Sequence, residues 1–136
     1  MNVYFFAGIL QRLNTAFVIL GRFKTQVNFM AALSIHERKR LRQIGHALNP
    51  VVMLGGQGLT EAVIEETNRA LNDHELIKIK VAGEDREARR EAIAAISTET
   101  GSEVVQTIGK VALLYKKSAQ QNQKLSNLVR HANLVK

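Results

Sequence analysis

Leu48-Asn49-Pro50-Val51-Val52-Met53-Leu54-Gly55-Gly56-Gln57-Gly58-Leu59-Thr60 is the stretch whose reading decides the fold. Asn49-Pro50 stops any helix that precedes it, because proline lacks the amide hydrogen a helix interior needs. Val51–Leu54 is a continuous apolar run, which predicts a short strand buried on both faces. Three glycines at 55, 56 and 58 break that strand. A helix then runs from about Thr60 to Asn72. Leu59, Val63, Thr67, Ala70 and Leu71 share its inner face, and Glu61, Glu65 and Glu66 lie near the N-terminus, where the helix dipole favours acids.

Outward from this unit the alternation continues. Upstream, Ser34-Ile35-His36-Glu37 reads as a capping box. The helix it opens has an apolar stripe of Ile35, Leu41, Ile44 and Leu48, while Arg38, Lys39, Arg40 and Arg42 crowd the other faces. Downstream, Ile77, Ile79 and Val81 alternate with Lys78 and Lys80, a half-buried strand with lysines on its second face. Asp85 caps a third helix striped by Ala88, Ala92, Ile93 and Ile96, and Gly101 stands where a helix-ending glycine belongs. Val104–Ile108 and Val111–Tyr115 form a hairpin around Gly109-Lys110, which fits a type II′ turn. The order α-β-α-β-α-β-β predicts an α/β domain over residues 30–117, with a mostly parallel sheet to which the last hairpin adds one antiparallel strand.

The two ends differ from this middle. The chain has 136 residues and a formal charge of +7. Residues 1–29 hold Arg12, Arg22 and Lys24 and no acid; residues 118–136 hold Lys124, Arg130 and Lys136 and no acid. All 12 acidic residues therefore lie in a nearly neutral middle. Any polyanion site there depends on where the charges sit, not on their excess. Six of the seven aromatics, all but Tyr115, fall in residues 1–29. That segment has three readings: sequence upstream of a start at Met30, a surface-lying amphipathic stretch, or an extension that docks elsewhere; a start at Met30 is the expectation. Its longest clean apolar run, Val3–Leu10, is far short of the roughly 20 residues a membrane span needs. Residues 118–136 read as a flexible basic tail.

Composition removes whole classes of chemistry. With no cysteine there are no disulfides, thiolate metal sites or cysteine nucleophiles, and the expected setting is a reducing, cytoplasmic one. His36, His46, His74 and His131 lack metal-ligand spacing. Asp73-His74-Glu75 reads as a solvated capping turn, and Tyr115 as packing at a strand end. The glycine loop fails as a phosphate-binding Walker sequence, because Leu59-Thr60 follows Gly58 where lysine is required. It fails as a dinucleotide fingerprint because Glu61 occupies the third small-residue position. Gly55-x-x-Gly58 does satisfy a G-x-x-G clamp on a nucleic-acid backbone, although a tight strand-to-helix turn explains the same letters. The basic residues Lys39, Arg42, Lys78, Lys80, Arg86, Lys110 and Lys116 favour the clamp if they gather on one face, away from the acids of the second and third helices.

Four stretches, in order, carry a family resemblance: Leu48–Thr60, His74–Lys80, Gly83–Arg86, and Gln106–Lys110 running on to Leu114-Tyr115-Lys116. Together they resemble the CRM domain, the chloroplast RNA splicing and ribosome maturation module, in its stand-alone bacterial, YhbY-type form. The likeness covers about Leu33 to Lys117. It implies a four-stranded mixed sheet similar to that of the C-terminal domain of translation initiation factor three. It also implies a non-enzymatic RNA-binding protein associated with precursors of the large ribosomal subunit; a monomer without cofactor is the accompanying expectation. The family's G-x-x-G loop carries over to Gly55 and Gly58; Gly56 and Gln57 at its tip are uncharged and are expected to supply backbone contacts. Its basic residues beside that loop carry over to Arg42, Lys78, Lys80, Arg86, Lys110 and Lys116, and Lys39 on the first helix is a further candidate. The competing expectation is an assembly factor that docks on ribosomal proteins through its acidic helices.

Overall fold

The structure, a computed structural model, describes residues 33–135. The readings of residues 1–29, including the start at Met30, lie outside the described residues. Helix α1 (Ile35–Gly45) leads to strand β1 (Pro50–Leu54), helix α2 (Glu61–His74), strand β2 (Leu76–Val81), helix α3 (Arg86–Thr100), and the hairpin of β3 (Glu103–Ile108) and β4 (Val111–Tyr115). A short helix α4 (Asn127–Arg130) and a 3-10 turn (Ala132–Leu134) follow.

Local chemistry sets the boundaries. Thr60 caps α2 by accepting from the Val63 N–H at 3.3 Å, and Asp85 caps α3 by accepting from Glu87 N–H at 3.1 Å. Gly101 ends α3 at φ +66; its N–H donates to Thr98 and the Ser102 N–H reaches Ser97, the two bonds of a Schellman motif. Gly109 has φ +59, as the first position of a type II′ turn requires.

The strands lie in the order β1-β2-β4-β3. β1 pairs parallel with β2; β4 pairs antiparallel with β2 on one side and β3 on the other. The expected strand directions hold, since β1, β2 and β3 run one way and β4 the other. The expectation of a mostly parallel sheet does not. β4 inserts between β2 and β3 instead of joining the edge, so only one ladder is parallel. A tight hairpin allows this, because the crossover through α3 can carry β3 past the vacant position that β4 then fills.

Helices α2 and α3 cover one face. The core there is Val52, Leu54, Leu71, Ile77, Ile79, Val81, Ile93, Ile96, Ala112 and Leu114, all buried. Helix α1 covers part of the other face. β1 departs from the expected two-sided burial: Val52 and Leu54 are buried, but Val51 and Met53 are 46% and 62% exposed. The cause is position, because β1 is an edge strand and α1 does not reach over it.

Arg38 serves the fold. Its guanidinium binds Glu103 at 2.6 Å and the carbonyls of Val104 and Val105, both at 3.1 Å. The register of β3 slips at this point, and the arginine satisfies the carbonyls that the irregularity turns aside.

The C-terminal segment also departs from expectation. Residues 118–135 are not a loose tail but pack on the domain through Glu75. That residue is 2% exposed and holds φ +62, so it is not the solvated cap expected of Asp73-His74-Glu75. Its carboxylate accepts from Ser126 Oγ at 2.9 Å, Gln121 Nε2 at 2.7 Å and the Ser118 N–H at 3.3 Å. Asn127 Nδ2 donates to the Leu76 carbonyl, and His74 Nδ1 to that of Leu125, both at 2.8 Å. Sequence reading missed this because a polar run gives no sign of which carboxylate will receive it.

Candidate nucleic-acid interface

Strand direction gathers three glycine-bearing loops at one end of the sheet. β1 and β2 both finish there, β3 finishes there, and β4 begins there. The Gly55–Thr60 loop, the Gly83–Asp85 loop and the Gly109-Lys110 turn are therefore neighbours. Two backbone bonds join them: Ala82 N–H to the Leu54 carbonyl at 2.9 Å, and Val81 N–H to that of Lys110 at 2.7 Å. The N-termini of α2 and α3 open at this same end.

The glycine loop is a closed turn, since the Gly58 N–H donates to the Gly55 carbonyl at 3.0 Å. That amide is thus committed within the protein. Gly56 and Gln57 are exposed residues, and their N–H groups make no hydrogen bond among the described residues. Gly58 has φ +74, which calls for glycine. At Gly55 and Gly56 a Cβ would meet nothing within 4 Å, so their bareness leaves open space in front of the backbone.

Cross-strand register places the basic residues. Lys80 lies beside Met53 on β1 and Val111 on β4; Lys78 lies beside Leu113. Both lysines rise on the α1 side of the sheet, and neither forms an ion pair among the described residues. Arg42 sits one turn beyond Arg38 on α1, and Lys39 one turn before Arg42; both are exposed. These four share one side of the molecule.

The remaining three do not join them. Arg86 begins α3 on the opposite side, in a shallow cleft with Arg89, Arg90 and Thr107. Lys110 is at the loop end but binds Glu84 at 2.9 Å, which holds the Glu84 carboxyl below its usual range, chiefly through the hydrogen bond and then through charge. Lys116 follows β4 at the far end of the sheet, about 20 Å from Lys110 at strand rise, beside Glu75. The expectation that Lys116 flanks the loop is therefore corrected. Tyr115 packs at that far end as expected. Burial first, then the charges of Glu75 and Glu37, pushes its hydroxyl pKa up.

What sequence reading did not single out is a row of residues across the sheet. Met53, Lys80, Val111 and Ile108 are successive register partners on the four strands, on the α1 side nearest the loop end. The period-two pattern marks Lys80, but Met53 reads as part of a strand buried on both faces, and Val111 and Ile108 only as ends of hairpin strands.

A small mixed sheet flanked by helices, with a glycine-rich strand-to-helix turn at a partly basic end, defines a class of α/β modules. Residues 33–116 match the CRS1 / YhbY (CRM) domain. The chain belongs to that family. It is 53% identical over 91 residues to a Haemophilus influenzae protein named an RNA-binding protein, covering 67% of this chain and 92% of that one. It is 45% identical over 103 residues to a Pseudomonas aeruginosa protein named "Probable RNA-binding protein", covering 76% and 99%. The solution structure of a hypothetical protein from Staphylococcus aureus superposes with a TM-score of 0.60 at 28% identity, covering 68% of this chain and 96% of the other.

Proposed function

We propose that this protein binds RNA at the glycine-loop end of its sheet, and that its target is ribosomal RNA in precursors of the large subunit. It acts there as a cytoplasmic assembly factor without catalysis of its own. One observation carries the site: Lys78 and Lys80 stand two residues apart on one face of β2, Lys80 opposite Met53 just before the loop and Lys78 further down the strand opposite Pro50, with no carboxylate paired to either among the described residues. Unneutralised lysines in register suit a phosphate backbone. Arg42 and Lys39 extend the charge along α1, and the free N–H groups of Gly56 and Gln57 offer a neutral hold on one phosphate. The family membership and the names of the relatives support RNA as the ligand, and the CRM resemblance supports the ribosomal setting.

About four phosphate contacts give a slope of log affinity on log salt near −3 for single-stranded RNA. Lys78→Glu/Lys80→Glu should flatten that slope by about half and weaken binding at least tenfold, with the far-ultraviolet spectrum unchanged. Affinity that ignores salt would sink the RNA reading. Sedimentation of the full chain with large-subunit precursors tests the ribosomal part, and its absence there would confine the conclusion to RNA in general.

A further inference from the structure

The row Met53–Lys80–Val111–Ile108 is open because α1 stops one row short. Gly45, the last residue of α1, lies directly on Leu113, where a Cβ would come within 2.6 Å of a Leu113 methyl. The chain then turns away through His46–Asn49 to β1. Met53 and Ile108 are left 62% and 61% exposed, and Val111 is half-buried. Where the helix ends, a cavity of about 230 Å³ opens, with a floor of Ile108, Val111 and Leu113 and a rim of His46, Lys78 and Gln106. It is smaller than the roughly 300–1,000 Å³ of sites that engulf a drug-sized ligand, and so suits one flat ring.

We propose that this row and cavity seat an unpaired nucleobase, so that the RNA is single-stranded where it crosses the sheet. The proposal rests on the RNA-binding reading above. A continuous duplex shows a protein mainly phosphates and 2′-hydroxyls, against which exposed Met53 and Ile108 gain nothing. A splayed base offers a flat apolar face to the floor and a hydrogen-bonding edge to Gln106 and His46. Methionine's polarisable thioether suits contact with an aromatic ring. The neighbouring phosphates fall to Lys78 and Lys80. Charge argues against a protein on this face, since Lys80 sits in the middle of the row and lysine is depleted at the core of protein interfaces.

The test is fluorescence anisotropy on the full chain with three probes: a short single-stranded oligoribonucleotide, an abasic oligomer of the same length, and a matched duplex. The wild type should prefer the single strand by about tenfold, within the range of base stacking measured at single sites. Met53→Thr/Ile108→Thr, which keeps strand-forming residues at exposed positions, should erase that preference and leave the salt slope unchanged. If duplex and abasic strands bind as well as the single strand, or the threonine pair keeps the preference, the base seat is overturned and salt-dependent RNA binding survives without it. If the threonine pair keeps RNA binding but loses sedimentation with ribosomal particles, the face belongs to a protein partner and the proposal falls. If no probe binds at low salt, the RNA reading falls and takes the seat with it.

Discussion

The two ends of this sheet use the same kinds of residues to opposite effect. At the far end, Glu75 is sealed from solvent, and its carboxylate accepts three hydrogen bonds from a segment that begins more than 40 positions later. On the side towards the loop, Lys80 and, further down β2, Lys78 form no ion pair among the described residues, and the N–H groups of Gly56 and Gln57 make no hydrogen bond there. A buried charge must be satisfied within the fold or it costs several kcal/mol. An exposed one needs nothing from the fold and remains available to a ligand. The far end thus serves stability, and the loop end is free to serve binding.

Substitution at Glu75 is the hardest test of that division. Glu75→Ala leaves Ser126, which is fully buried, and the Ser118 N–H without their acceptor. Hydrogen bonds to a charged group contribute about 1.5–3 kcal/mol each, and the net loss here should be about 2–4 kcal/mol, read as a lower urea midpoint. RNA affinity at a temperature where the variant remains folded should stay within about twofold, or about 0.4 kcal/mol. An equal loss of binding and stability would mean that the two ends are coupled and the contrast is false.

The glycine loop gives a finer test, because its glycines serve different ends. Gly58→Ala should cost about 1–2 kcal/mol of stability from its positive φ alone, since a Cβ there meets nothing. Gly56 has open space and no positive φ, so Gly56→Ala should leave the urea midpoint almost unchanged. If a phosphate sits against the backbone, the added methyl should weaken RNA binding about threefold to tenfold, 0.6–1.4 kcal/mol. Unchanged binding in Gly56→Ala would remove the backbone from the site and leave the lysines to act alone.

How far these features were legible in the sequence follows from the range of the forces involved. Caps and the β2 alternation are local, and Asp85, Gly101 and the Lys78/Lys80 pair stand where the letters place them; the helix stripes hold at Leu41, Ile44, Ile93 and Ile96 but not at Ile35, which lies in the first turn of α1 and is 84% exposed. The insertion of β4 between β2 and β3 depends on which edge is vacant, and no local pattern records that. Residues 118–135 bind through scattered polar groups whose partner, Glu75, is 43 to 51 positions away. The open row escaped notice because an apolar run looks the same under a helix and just beyond its end. Lys116 was misplaced for a related reason, since adjacency to a motif in sequence says nothing about which end of a strand a residue occupies.

The Lys110–Glu84 pair lies at the loop end, yet it is a pairing of the kind that marks the far end. Glu84 is 94% exposed, so its removal should not measurably change stability. Its carboxyl is held below the usual range by Lys110, so the pair persists above the carboxyl's ordinary value and is lost as pH falls through the lowered one. Glu84→Gln should therefore free Lys110 at neutral pH and raise RNA affinity slightly, by about twofold at low salt, with a salt slope steeper by about 0.7. At high salt the variant and wild type should converge, because screening already weakens the pair. A gain that persists at high salt would mean that glutamine itself touches the RNA. No gain at low salt would mean that RNA does not reach the hairpin tip, and would confine the interface to the α1 side of the sheet.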